Sequence, residues 1–327
     1  MPDAVGSTAP IPPPPLGPGP AKRLFIGRDG LRAPWSVFLF VIIFLVAAVL
    51  VLALVGAVSA MLPRGAGSAD RHALVRAMSP ALIAQSSYPF VAAVLVATTV
   101  MARGERRSPW SYGLAGRHRL GLFAAGAGWG FLALSALIGL LAITGHITIG
   151  RPTNPPLVAL RFAAEWALAF LGVGLFEETM ARGYLQNRLS RAIGFWPAAV
   201  LLSVLFGAGH YSNTGETATG LIGAGTVGLV FCYSLWRSGS LWWAIGFHAA
   251  WDWAQSYFYG THDSGMGSAG ALLTSHPAGA DWLSGGSVGP EGSALVFVIL
   301  IAVVLVIRWS LTPPPLASTT GAIAPRT

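Results

Sequence analysis

Long apolar runs separated by short polar segments occupy most of the chain between residues 35 and 311. A helix that crosses a bilayer needs about 20 apolar residues, and eight runs approach that length. We therefore predict spanning helices at about 35–62, 80–101, 120–144, 157–190, 195–212, 218–236, 240–259 and 293–311. The predicted fold is all-α, a polytopic bundle of about eight transmembrane helices.

Proline-rich segments flank the predicted bundle. Pro12 to Pro15 lie in the N-terminal segment, and Pro313 to Pro315 lie near the C-terminus. Such segments favour extended chain without a packed core. We therefore expect disordered tails at residues 1–32 and 313–327, with the transmembrane helical domain at 33–312.

Composition excludes the soluble classes of protein. Charged residues make up 10% of the chain, hydrophobic residues make up 54%, and the mean hydropathy is +0.63. Soluble domains contain about 25% charged residues, so these few charges cannot cover a surface that faces water. The single cysteine, Cys232, allows no disulfide within the chain.

The basic residues that give the net charge of +8 follow the predicted membrane topology and do not form a nucleic-acid-binding surface. With the N-terminus inside, the inner segments hold 15 of the 20 Lys and Arg residues, and the outer segments hold 5. Cytoplasmic loops carry such an excess of positive residues. We expect an integral multi-pass protein of a bacterial plasma membrane with both termini in the cytoplasm, and no nucleic-acid partner.

Ionisable residues inside apolar helices are costly and therefore indicate function. The first such cluster is Glu177, Glu178 and Arg182 on the fourth predicted helix. Glu178 and Arg182 are at i and i+4 and can pair, which leaves Glu177 available as a base. The alternative interpretation is a charged helix end at the cytoplasmic surface.

Two further clusters contain histidine. Phe206 and His210 lie on the fifth predicted helix, and His248 and Asp252 lie at i and i+4 on the seventh. His210 could instead be an ordinary packing residue, and His248 with Asp252 could be a local pair that satisfies itself within the bundle. At 1.5 Å per residue, Glu177, His210, His248 and Asp252 lie about 12 to 24 Å from the cytoplasmic helix ends, so they can meet in one hydrolytic site.

These residues resemble the motifs of the CPBP family, the CAAX-processing and bacteriocin-immunity (Abi) intramembrane proteases. The family pattern is E-E-x-x-x-R, then F-x-x-x-H, then H-x-x-x-N/D. This chain has Glu177, Glu178 and Arg182, then Phe206 and His210, then His248 and Asp252. The resemblance covers about residues 110–260, which would form the protease core within the helical domain.

The resemblance implies a role for each motif residue. Glu177 would activate the attacking water, His210 would assist, and His248 and Asp252 would stabilise the oxyanion. Glu178, Arg182 and Phe206 would support the site. CAAX-processing members typically have Asn at the position of Asp252, and an Asp must be protonated to donate a hydrogen bond there.

The resemblance leaves the metal and the substrate open. Family members are usually labelled metalloproteases, and Glu177, His210 and His248 are acceptable zinc ligands. The chain lacks the H-E-x-x-H signature of zincins, so we favour a mechanism without a cofactor, with zinc as the alternative. The expected partners are membrane lipid and a membrane-bound or lipidated, CAAX-like peptide.

Two other function classes remain open at the level of sequence. A proton-coupled transporter could use the same acids and histidines as a relay, although no repeat of helices is apparent. A non-catalytic membrane immunity or interaction protein could keep the fold without turnover.

Overall fold

The computed structural model describes residues 24–27, 30–61, 79–116, 118–152 and 154–312. Most of both predicted tails, residues 1–23 and 313–327, lies outside the described residues. The described chain is a bundle of α-helices with two short antiparallel strand pairs, which agrees with the predicted fold class.

The helices account for most of the described chain. In chain order they are α1 (Ala33–Met61), α2 (Pro80–Gly104), α3 (Arg119–Ile143), α4 (Pro156–Ile193), α5 (Phe195–Gly209), α6 (Ala218–Ser238), α7 (Trp242–Trp253), α8 (Asp281–Ser284) and α9 (Val296–Ser310). The strands are β1 (Ile26–Gly27), β2 (Gly30–Leu31), β3 (Ile147–Ile149) and β4 (Ser275–Pro277), with β1 paired to β2 and β3 paired to β4.

Among the described residues, five helices are long and apolar enough to cross a membrane: α1, α2, α3, α4 and α6. The other three predicted spans correspond to shorter helices, because α5 has 15 residues, α7 has 12 and α9 has 15. At 1.5 Å per residue, 15 residues extend only about 22 Å. All eight predicted helical segments are present, and the count of eight spans stays a prediction.

The C-terminal end of α5 differs from the predicted bound. The fifth segment was predicted to be helical through residue 212, but α5 ends at Gly209 and His210 begins a short 3-10 turn over His210–Ser212. The small residues before His210 and the polar Ser212-Asn213 sequence after it do not favour continuation of the helix.

One π-helical turn lies within α4, and another directly follows α7. In α4 it covers Met180–Tyr184 and includes non-helical dihedral angles at Gly183. After α7 it covers Ala254–Phe258. π turns are rare, occur mostly as single turns within α-helices and are frequent at functional sites. The first turn follows Glu178 and includes Arg182, and the second follows Asp252. Both therefore adjoin residues that the sequence predicts to belong to the site.

Helices α3 and α7 pack so closely that glycine is required between them. An added Cβ at Gly126 would lie 2.0 Å from the carbonyl oxygen of Trp243, and one at Gly246 would lie 2.2 Å from that of Phe123. Small residues permit this approach of helix backbones in a membrane. The contact places α7, which carries His248, at a defined depth against α3.

The connecting segments show which helix ends lie together. β3 follows α3 and pairs with β4, which follows α7, so these two segments lie at the same end of the bundle. At the opposite end, the amide of Leu241 donates to the carbonyl oxygen of Gly113. This arrangement agrees with the alternation of helices predicted from the apolar runs, whereas the cytoplasmic location of the termini stays a prediction.

Candidate active site

A cavity of about 380 Å³ lies between α4, α5, α6 and α7 and extends to the segment that follows α7. All four side chains predicted to be catalytic line this cavity: Glu177, His210, His248 and Asp252. Phe206 also lines it, whereas Glu178 and Arg182 lie behind the wall.

The two adjacent glutamates of α4 have different environments. Glu178 is fully buried, and its Oε1 accepts a hydrogen bond of 3.1 Å from Nη1 of Arg182 one turn later. The side chain of Glu177 is 24% exposed and lines the cavity. Glu177 Oε2 is itself buried and has no hydrogen-bond partner among the described residues.

Arg182 connects α4 to α5 and α6 through aromatic rings. Its guanidinium carbon lies 4.3 Å from the ring centroid of Phe206 and 5.8 Å from that of Phe231. A desolvated guanidinium over an aromatic face gains about 2 kcal/mol. The buried ion pair of Arg182 and Glu178 therefore packs against aromatic side chains of the cavity wall.

His248 joins the motifs of α4 and α7. Its Nδ1 lies 2.9 Å from Oε1 of Glu178, while its Nε2 lies 3.8 Å from Oε2 of Glu177 and 3.6 Å from Oδ2 of Asp252. The side chains of His248 and Asp252 are 14% and 13% exposed. Nδ1 of the imidazole thus contacts one carboxylate, and Nε2 lies near two carboxyl groups. This environment favours hydrogen on the ring nitrogens.

His210 lies on the cavity wall without touching the other three. Its Nδ1 donates a hydrogen bond of 2.8 Å to the carbonyl oxygen of Phe206, because a carbonyl can only accept. The ring's Nε2 is therefore an acceptor. Within the described part of the chain, no hydrogen bond joins His210 to Glu177, so the structure brings three of the four predicted residues into contact.

Three acidic residues that line the cavity were not singled out from the sequence as site residues: Glu216, Asp263 and Glu291. Asp263 and Glu291 lie in the segment between α7 and α9, and both line the cavity. Ser256 Oγ donates a hydrogen bond of 2.7 Å to Asp263, and the amide of Ser264 donates one of 2.8 Å to Glu291. In the sequence, Asp263 and Glu291 lie in a long segment without Lys or Arg, a composition typical of an external loop.

Burial raises the pKa of both loop acids. The desolvation of Asp263 favours its neutral form, although the hydrogen bond from Ser256 opposes this effect. The pKa of Glu291 is raised well above its usual value, first by burial and then by the negative charge of Asp263. These two groups therefore hold their protons more strongly than exposed carboxyl groups do.

The described residues do not fit a metal ion. No group of three or more His, Cys, Asp and Glu side chains among them is arranged to hold one. Of the suggested zinc ligands, Glu177 and His248 are neighbours, but His210 is bonded to its own helix and contacts neither. The proposed chemistry below therefore includes no metal-dependent step.

A comparison with protein-family models finds a match in the part of the chain that carries the motifs. Residues 159–254 match the family model described as type II CAAX prenyl endopeptidase Rce1-like. This segment contains every motif residue: Glu177, Glu178, Arg182, Phe206, His210, His248 and Asp252. Comparisons with curated proteins and with solved structures gave no significant match.

The site and the match together define an integral membrane protein of the protease class. The match supports the CPBP family, the CAAX-type intramembrane proteases, as the family of this chain. The description of the matched family model, an endopeptidase, indicates peptidase activity.

Proposed function

We propose that this chain is an intramembrane endopeptidase in which Glu177 activates water without a metal ion. The observation that carries the proposal is the contact of His248 with Glu177 and Asp252 on the wall of one cavity. An acid-base group and two candidate oxyanion donors beside a partly apolar cavity are the components of peptide-bond hydrolysis.

The proposed reaction is a direct attack of water on the peptide carbonyl. Glu177 removes a proton from the water while the oxygen of that water bonds to the carbonyl carbon. The carbonyl oxygen becomes an oxyanion. His248 Nε2–H and the protonated carboxyl of Asp252 donate hydrogen bonds to that oxyanion. When the C–N bond breaks, Glu177 returns the proton to the leaving amine, which leaves a carboxylic acid and an amine.

His210 has a supporting part in this proposal. Because its Nδ1 is occupied by the carbonyl oxygen of Phe206, its Nε2 can accept a hydrogen bond from the attacking water. That bond would orient the water toward the carbonyl carbon. It would not require His210 to touch Glu177, since the water lies between them.

The substrate proposed is a lipidated, CAAX-like or otherwise membrane-bound peptide. Apolar side chains of several helices line the cavity beside the polar groups: Phe170, Val173, Val227 and Leu300. Such a lining suits an apolar peptide segment. Exposed apolar side chains on α1 and α5 also form a surface that can contact lipid. A substrate with a lipid anchor is concentrated in that lipid.

The proposal is tested with the purified full chain in detergent and its Glu177→Gln variant. We expect cleavage of a farnesylated CAAX peptide or of a pool of membrane-protein peptides by the wild type, and a loss of about 10²- to 10⁴-fold in the variant. Glu165→Gln is the matched control, because Glu165 is on the same helix but pairs with Arg161 outside the cavity. Equal turnover by wild type and Glu177→Gln, or no turnover by wild type on any peptide, contradicts the proposal and favours a non-catalytic protein or a carrier.

A further inference from the structure

Glu178 lies outside the cavity, yet it contacts a residue of the cavity wall. It is fully buried and is not among the residues that line the cavity. Its Oε1 is shared by two donors from different helices, Nη1 of Arg182 at 3.1 Å and Nδ1 of His248 at 2.9 Å. A carboxylate that only stabilised α4 would need the first partner and not the second.

The shared oxygen determines which nitrogen of His248 faces the substrate. Glu178 forms an ion pair with Arg182, and the carboxylate of an ion pair can only accept hydrogen bonds. Nδ1 of His248 must therefore carry a hydrogen, and Nε2 can also donate to an oxyanion only when the ring carries a second hydrogen and a positive charge. Nε2 then points to the side of Glu177 and Asp252, at 3.8 and 3.6 Å.

The same contact places a negative charge behind the imidazole. When an oxyanion forms in front of Nε2, a hydrogen bond from a positively charged ring is stronger than one from a neutral ring. A buried carboxylate behind the ring stabilises that positive charge and prevents rotation of the ring, as the aspartate does in serine-protease triads. Without it, the ring could turn and present Nδ1 to the cavity.

We infer that Glu178 is a positioning residue for catalysis, which holds His248 with Nδ1–H toward the protein and Nε2 toward the reacting carbonyl. This inference rests on the proposed function for its catalytic consequence, but the orientation of the ring can be measured independently. Arg182 holds Glu178 in turn, and neither residue touches the substrate.

The test removes the contact without leaving a buried charge unpaired. The double variant Glu178→Gln/Arg182→Met removes both charges, because loss of one partner alone destabilises a buried pair strongly. Gln at position 178 can donate to Nδ1 as well as accept from it, so the ring orientation is no longer specified. We expect kcat to fall on the order of 10³-fold, with KM changed less than about twofold because the cavity wall is intact.

The matched control is Arg188→Met. Arg188 is buried on the same helix, and its Nε donates to Ser36 Oγ at 3.0 Å, far from the cavity lining. We expect this control to lower the melting temperature and to keep the kcat of the wild type. A kcat loss in both variants that follows their melting temperatures would overturn the inference and indicate a purely structural Glu178.

A second measurement is made on the wild-type chain and does not depend on turnover. ¹⁵N NMR of ring-labelled histidine in the wild-type chain, with His248 assigned from a His248→Gln variant, reports which ring nitrogen carries hydrogen. We expect hydrogen on Nδ1 of His248, with Nδ1 hydrogen-bonded. A ring protonated at Nε2 alone overturns the inference even if the protein is a protease, whereas absent turnover with the expected NMR signal contradicts the proposed function only.

Discussion

Oε1 of Glu178 lies 2.9 Å from Nδ1 of His248, a residue 70 positions further along the chain. This contact joins α4, which carries the acidic motif, to α7, which carries the histidine motif. The two helices approach closely there, because an added Cβ at Gly174 would lie 3.1 Å from the carbonyl oxygen of Ile245. The relative depth of these helices therefore decides whether Glu177 and His248 can share one site.

Separation of α3 from α7 is expected to damage both stability and catalysis. In Gly246→Ala the new methyl group would meet the carbonyl oxygen of Phe123 at 2.2 Å, so α7 must move and His248 must move with it. We expect a loss of about 1–3 kcal/mol in unfolding free energy and a reduced kcat, measured by thermal unfolding and peptide cleavage. Gly128→Ala on α3 is the control, since nothing lies within 4 Å of its added Cβ; equal behaviour of the two variants would disprove the close contact.

Asp252→Asn is expected to retain cleavage, while Asp252→Ala is not. An amide donates a hydrogen bond to an oxyanion without needing an added proton, whereas alanine donates none. We expect Asp252→Ala to lower kcat by about 10²- to 10³-fold and Asp252→Asn to stay close to the wild type. The measurement is kcat and KM for both variants on one peptide. If Asn is as inactive as Ala, Asp252 acts through its negative charge and not as a donor.

The acids of the loop are expected to make stability depend on pH. Burial raises the pKa of Asp263 and Glu291 in the folded chain. A carboxyl group with a raised pKa binds its proton more tightly when folded, so stability falls as pH rises from the unfolded pKa of about 4 through the raised pKa.

This pH effect is measured as the melting temperature between pH 4 and pH 8, for the wild type and for Asp263→Asn/Glu291→Gln. We expect a steeper decline with rising pH in the wild type than in the double variant. The comparison isolates these two groups from the other titratable residues, which both chains share. Parallel curves would show that the two acids do not gain protons on folding.

Metal removal is expected to leave activity unchanged. Among the described residues no group of side chains is arranged to hold an ion, and the proposed reaction uses Glu177 alone as the base. Cleavage after dialysis against EDTA or phenanthroline should equal that of untreated protein. Loss of activity that is restored by added zinc would refute the metal-free mechanism, and metal analysis of the purified chain provides a check that needs no substrate.

The positions of the helices could be predicted from the sequence because the physical cause is local. An apolar run in lipid must satisfy its own backbone hydrogen bonds, and a helix does so within the segment. The pairing of Glu178 with Arg182 is also local, since residues four apart lie on one helix face. The lengths of α5, α7 and α9 were overestimated, because an apolar sequence continues past the residue at which the helix ends.

Only the tertiary structure decided how the chemical groups meet. The contact of His248 with Glu178 depends on glycine-mediated packing of α7 between α3 and α4, which involves residues far apart in the chain. The same packing brings Asp263 and Glu291 to the cavity from a loop that resembles any external acidic loop in sequence. The sequence by itself determined which residues can do chemistry and on which helices they lie. Their distances depended on how the helices pack, because the depth and rotation of each helix are set by side-chain contacts with its neighbours.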